Sequence, residues 1–154
     1  MEEKLITEME KPRDRAIVVG LNSPKLSERE NADDATLEEL AALVDSFGDP
    51  LVGACWDFGH GNRCFVDQTT QIRKLGARLV ATHVDDNMGV GKEDLHTLPF
   101  LGTVKWGKIM PLLREMGYEG CFNYELSVCK RMPEEMVERT VKYAYDMGRY
   151  LLTL

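Results

Sequence analysis

The sequence has no excess of positive charge. Its 19 Lys and Arg are outnumbered by 26 Asp and Glu, a formal net charge of -7. It therefore lacks the basic footprint of a protein that binds nucleic acid or an anionic membrane surface. No apolar run approaches the ~20 residues that a membrane span needs. The opening residues, Met1-Glu2-Glu3-Lys4, are acidic with no apolar stretch behind them. That excludes the pattern of a secretory signal and makes a cytoplasmic location the expectation. The four cysteines (Cys55, Cys64, Cys121 and Cys129) lack the paired spacing of a zinc knuckle. Cys55 and Cys121 fall in strand-like runs and are expected to be buried free thiols. There is no solenoid-type repeat and no low-complexity tract.

What is present suits one globular domain: 154 residues, 44% hydrophobic and 29% charged. Residues 1–15 are dominated by charge and read as a tail or a helical turn; residues 16–154 form the domain. Four short apolar runs, residues 16–21, 51–56, 78–84 and 120–126, read as strands. Between and after them, apolar residues recur at helical spacing. The sets are Leu37, Leu40, Val44 and Phe47; Ile72 and Leu75; Trp106, Ile109, Met110, Leu113 and Met116; and Val137, Val141, Ala144, Gly148 and Leu151. Thr36 and Glu39 form a capping box and Asp67 is an N-cap. Gly48, Gly76 and Gly117 are helix stops, and Pro133 opens the last helix. Pro111, inside the third stripe, predicts a kink or a late helix start. Residues 61–65 read as a loop. Residues 85–102 are polar and Gly-rich, a length of loop that is usually functional or disordered. Strand and helix alternate four times. That predicts an α/β fold of four βα units with parallel strands, either half of an eight-unit TIM barrel or a small open sheet.

In such a sheet all strands end at one face. Asp57 ends the second strand, His83 lies near the end of the third, and Glu125 near the end of the fourth. One strand-end His alone is more often a structural residue; three such residues at the same end of successive strands are harder to attribute to chance. One imidazole and two carboxylates suit a divalent ion such as Mn, Mg or Co, and also Zn. His60, Asp94 and His96 lie close enough in sequence to act as further ligands or substrate contacts.

Several motifs carry a resemblance. They are Thr36-Leu37-Glu38-Glu39-Leu40 with Gly48-Asp49-Pro50; Val52-Gly53-Ala54-Cys55-Trp56-Asp57-Phe58-Gly59-His60-Gly61-Asn62; Thr82-His83-Val84-Asp85-Asp86-Asn87; Asp94-Leu95-His96; and Tyr118-Glu119-Gly120 leading to Tyr124-Glu125. In their order and spacing the chain resembles the C-terminal half of the xylose-isomerase-like TIM-barrel superfamily. That superfamily holds sugar isomerases, ketose epimerases and the apurinic endonucleases of family two. The resemblance implies that Asp57, His83 and Glu125 are metal ligands and that His60 contacts substrate or a second metal. It implies that Asp94 and His96 match a pair holding extra metal in the endonucleases. Glu125 and His60 are then the expected catalytic residues.

Two departures matter. Only the second half of a barrel is represented, and the family's Glu-Asn pair at the end of its fifth strand reads Leu21-Asn22 here. Glu30-Asn31 supplies the same letters in a polar loop with no strand before it. The implied reaction is metal-assisted proton transfer next to a carbonyl of a small sugar or sugar phosphate, using two carboxylates. Leu21 can neither bind a cation nor move a proton, so activity is expected to be reduced or restored by a partner chain. The alternatives are a non-catalytic half-barrel that assembles or binds metal, and an endonuclease-like phosphodiesterase. Open sheet edges predict a homodimer or higher oligomer.

Overall fold

A computed structural model describes residues 17–20, 34–64 and 67–154 of the chain. The expectations for the N-terminal tail, Leu21, Asn22, Glu30 and Asn31 lie outside the described residues. The element order is β1 (Ile17–Gly20), α1 (Asp34–Phe47), β2 (Val52–Asp57), α2 (Phe58–Cys64), α3 (Gln68–Leu75), β3 (Leu79–Val84), α4 (Trp106–Glu115), β4 (Cys121–Tyr124) and α5 (Glu134–Leu151). The strands form one four-stranded sheet in the order β1-β2-β3-β4, with every neighbouring pair parallel. This is the α/β architecture of a partial TIM barrel.

The register fixes which side chains share a face, because successive residues of a strand point to opposite sides. Trp56, Thr82 and Phe122 lie in one row; Asp57, His83 and Asn123 lie in the next. The Trp56 row faces the helices. There Leu37, Leu40 and Val44 of α1 join Trp56, Phe58, Ile72, Leu75, Val84, Trp106, Ile109, Leu113 and Leu151 in one buried cluster. Phe58 meets Trp106 edge to face, with ring centroids 5.1 Å apart, a geometry that adds about 1 kcal/mol beyond area burial. The Trp56 indole N–H donates to Gln68 Oε1 at 2.9 Å, and Gln68 Nε2 donates to the Phe58 carbonyl at 3.3 Å. The buried first residue of α3 thereby serves a core donor and fixes where α2 begins.

The caps at α3 form as the sequence predicts: Asp67 accepts from Thr69 N, and Gly76 takes a φ of 57°. Several expectations are corrected. Helix α1 begins at Asp34, two residues before Thr36. Phe47 ends α1 and is 55% exposed, because burial of a helix face stops where the sheet beneath it stops. The expected loop at 61–65 is helical through Cys64. Helix α4 runs through Pro111 without a late start; Gly107, whose carbonyl Pro111 cannot serve, is exposed and open to water. Cys121 and Val141 are exposed, because β4 has no further strand beside it among the described residues. No helix among the described residues is long and apolar enough to cross a membrane.

Candidate metal centre

Asp57 and His83 are paired partners in the register, and Glu125 lies two residues past Asn123, the partner of His83. All three side chains therefore leave the sheet on the same face and at the same end. Their ligand atoms lie within 4.8 Å of one another. His83 Nδ1 is 2.6 Å from Glu125 Oε2 and 3.5 Å from Asp57 Oδ2. Asp57 is held by a local bond. Its Oδ1 accepts from the His60 amide at 2.7 Å, three residues on, which caps the first turn of α2. Its other oxygen, Oδ2, is buried and has no hydrogen-bond partner, and the same holds for Glu125 Oε2, whose approach to His83 lacks hydrogen-bond geometry.

A second group lies alongside. His60 Nε2 and His96 Nε2 approach Asp94 Oδ2 at 2.8 and 3.2 Å, and the three ligand atoms again lie within 4.8 Å of one another. The two groups touch: His60 Nδ1 is 3.5 Å from Asp57 Oδ2, and His96 Nδ1 is 3.2 Å from the Glu125 carbonyl oxygen. The loop carrying Asp94 and His96 is brought back to the strand ends by an isolated antiparallel bridge. Asp86 N donates to the Thr97 carbonyl at 2.9 Å and Thr97 N to the Asp86 carbonyl at 3.0 Å. Ser127 N, just past β4, donates to the His96 carbonyl at 2.9 Å.

Three residues after β3 take no role in the sequence reading and prove to be wholly buried: Asp85, Asp86 and Asn87. Asp86 is the hub of the loop. Its Oδ1 accepts from the amides of Asn87 and Val104, and its Oδ2 from the Phe100 amide and the Trp106 indole, all at 2.9–3.0 Å. Asn87 donates to the Gly59 carbonyl at 2.8 Å and accepts from Asn62 at 3.0 Å, tying α2 to the same loop. The signal was an unbroken acid-acid-amide run directly after a buried strand, where an unsatisfied polar side chain is not tolerated. Burial, then the charge of Asp57, pushes the Asp85 carboxyl up to about 9. Burial, with the charges of Asp57 and Glu125, likewise pushes the Cys55 thiol up to about 11, so Cys55 stays a thiol beside the carboxylates.

The donor set fits a divalent cation. Buried oxygens with no donor, gathered around imidazoles, are an arrangement that a cation satisfies and an empty apolar site does not. All six ligand candidates read from the sequence converge. Residues 23–151 match the family described as Xylose isomerase-like TIM barrel. The chain belongs to that family. By sequence the chain is similar to the uncharacterized protein y4fM of Sinorhizobium fredii, 33% identical over 89 residues, which make up 58% of this chain and 28% of that protein. Among solved structures, D-psicose 3-epimerase from Clostridium cellulolyticum, crystallised with D-tagatose, is similar with a TM-score of 0.61 at 21% identity, over 75% of this chain and 43% of that one. The IOLI protein with a binding zinc atom gives 0.59 at 16% identity, over 75% of this chain and 43% of that one. A xylose isomerase domain protein from Alicyclobacillus acidocaldarius gives 0.58 at 20%, over 76% and 43%. The chain thus spans less than half the length of these relatives, and what it shares with the solved structures is the fold.

Proposed function

We propose that this chain performs divalent-metal-assisted proton transfer next to the carbonyl of a sugar or sugar phosphate, as an isomerase or epimerase, with Mn, Mg, Co or Zn as the ion. The observation that carries the reading is the convergence of Asp57, His83 and Glu125 at one end of neighbouring strands, with Asp57 Oδ2 and Glu125 Oε2 left without hydrogen bonds. These residues would hold the ion, which when bound supplies Lewis-acid polarisation of a carbonyl oxygen. Asp57 is oriented before any ligand arrives, because the His60 amide occupies its other oxygen. Glu125, at 41% side-chain exposure, has the access to a substrate that a proton carrier needs. His60 lies between Asp57 and Asp94 at 23% exposure, which supports reading it as a contact to a substrate hydroxyl. With Leu21 in place of the second carboxylate, this chain alone turns over more slowly, on the order of 10²–10⁴-fold.

The test is exchange of the proton beside the carbonyl with solvent deuterium, followed by NMR. Ketoses and their phosphates are offered to metal-stripped protein resupplied with each of the four ions. Metal-dependent exchange that Glu125→Gln removes supports the reading. No exchange with any ion sinks it and leaves the non-catalytic reading; absence of Mn or Co binding in calorimetry would then leave only a structural role. A second reading, phosphodiester cleavage, is favoured by the adjoining His60, Asp94 and His96 group and opposed by the net charge of -7. Nicking of an abasic duplex decides it.

The partner reading is self-association. The face of β4 that carries Cys121 and Asn123 is exposed, whereas parallel sheets are ordinarily covered on both faces. On the other face of β4 lies an open groove of about 700 Å³ between β4 and α5, lined by Phe122, Tyr124, Val141, Tyr145 and Leu152. A second copy is the occupant we propose.

A further inference from the structure

The sheet ends on two different edges, and each has an apolar surface on its helix side. Among the described residues β1 and β4 are the outer strands, so each has one row of backbone N–H and C=O groups with no strand beside it. At the β4 edge, Val141, Tyr145 and Leu152 of α5 are each more than half exposed and line the groove with Phe122 and Tyr124. No described residue of β3 or α4 lines that groove, so it opens on the free side of β4. At the β1 edge the surface belongs to α1. Arg78, which directly precedes β3, donates to both carboxylate oxygens of Asp45 at 2.6 and 2.7 Å. Asp45 therefore marks the side of α1 that faces β3. Residues two positions away on a helix point about 200° around its axis, so Leu43 and Phe47 share the opposite side, toward β1. Both are exposed.

We propose that a second copy of this chain joins at both edges at once: β4 of each copy pairs in parallel with β1 of the other, and Leu43 and Phe47 of each α1 enter the groove beside α5 of the other. The result is a closed ring of eight strands with a two-fold axis along its centre. The inference rests on the self-association reading above and specifies its geometry. Strand direction allows it. All four strands run parallel, and a two-fold axis along the ring preserves that direction, so the new pairs repeat the ladder already present. Strand number allows it too, since four strands are half of the eight in a TIM barrel. Chain order then decides which helices meet. Helix α5 follows β4 and α1 follows β1, so joining the two strands brings together the two helices that carry the uncovered apolar residues. A ring that uses both edges leaves none open and stops at two copies. It also completes the candidate metal centre. His83 and Glu125 leave the sheet on the face that carries Cys121 and Asn123, which is exposed in one chain. Closing the ring turns that face inward and gives the centre its missing wall, which limits access of water.

The experiment uses two charge variants of the full chain at opposite edges, Leu43→Lys on α1 and Tyr145→Glu on α5, in light scattering at micromolar concentration. The wild type is expected at twice the 17.5 kDa of one chain. Either variant alone places an unmatched charge in both seams and is expected at the mass of one chain. An equimolar mixture is expected to recover the doubled mass, because it has one native seam and one in which opposite charges meet. A wild type at the mass of one chain overturns the proposal. So does a wild type that grows past two chains with concentration, since that is an open assembly rather than a ring. A variant that keeps the doubled mass, or a mixture that stays at the mass of one chain, overturns the use of both edges and leaves at most a pairing through one. Should a variant not fold, amide exchange of the wild type on dilution decides. Slower exchange in the associated form at both β1 and β4 supports the ring, and slowing at β4 alone overturns it. None of these readouts involves metal or substrate, so their failure is distinct from a failure of the proposed proton transfer.

Discussion

Replacing Gly59 with Ala tests how firmly the buried carboxylate is clamped. The new methyl carbon would sit 2.6 Å from Cγ and 2.7 Å from Oδ1 of Asp85, where contacts under 3.0 Å are essentially never seen. All the nearest atoms belong to one side chain, and that side chain is 0% exposed. The carboxyl cannot swing into water, so it must push on its neighbours, and the hydrogen bond from Gly59 N at 3.0 Å goes with it. Overpacking of this kind costs about 1–3 kcal/mol, and a hydrogen bond to a buried carboxyl adds about 1–2 kcal/mol. For a domain of this size a loss of about 3 kcal/mol lowers the melting temperature by roughly 6–12 °C. Thermal unfolding followed by circular dichroism measures it. The control is Gly107→Ala. Gly107 is an exposed glycine of α4 with nothing within 4 Å of the added carbon. There the same substitution is expected to stabilise by about 0.5–1 kcal/mol through helix propensity. Opposite signs at the two sites are the expected result. A Gly59→Ala protein melting within about 2 °C of the wild type, less than 1 kcal/mol on this scale, would refute the claim that Asp85 is immovable.

Asp86→Asn turns an acceptor of four bonds into one with a donor facing donors, so it is expected to cost about 2–4 kcal/mol. Amide exchange should accelerate at Phe100 and Val104, and unchanged protection there would contradict the hub. Asp57→Asn keeps the acceptor for the His60 amide while removing the charge. Mn affinity should fall at least roughly tenfold with little change in metal-free melting temperature; a drop in stability with affinity intact would reverse the assignment. Mn near 100 times its dissociation constant should stabilise the wild type by about 2.7 kcal/mol, and chelator should erase the gain. Light scattering at micromolar concentration should show a dimer or larger species that Tyr145→Glu, in the groove beside β4, dissociates; a monodisperse wild-type monomer would remove the self-association reading.

Local patterns carried much of this protein. The alternation of apolar runs and helical stripes is enough to give parallel βα units, because a buried strand and an amphipathic helix leave different periods in the sequence. Strand-end geometry then places Asp57, His83 and Glu125 together, since a parallel sheet sends every strand end to one rim. The caps at Asp67 and Gly76 are equally local. What local pattern could not carry was set by contacts across the chain. Phe47 and Val141 sit at helical spacing yet stay exposed, because burial depends on what lies opposite and not on period alone. The return of Asp94 and His96 to the rim depends on the Asp86–Thr97 bridge within the loop and on the Ser127 bond to a segment 31 residues away, neither of which a local period reveals. Asp85, Asp86 and Asn87 look like a solvated turn when read along the chain. Only the three-dimensional fold closes a loop and a helix over them, and it is this removal from water that turns three ordinary polar residues into the fixed support of the candidate metal centre.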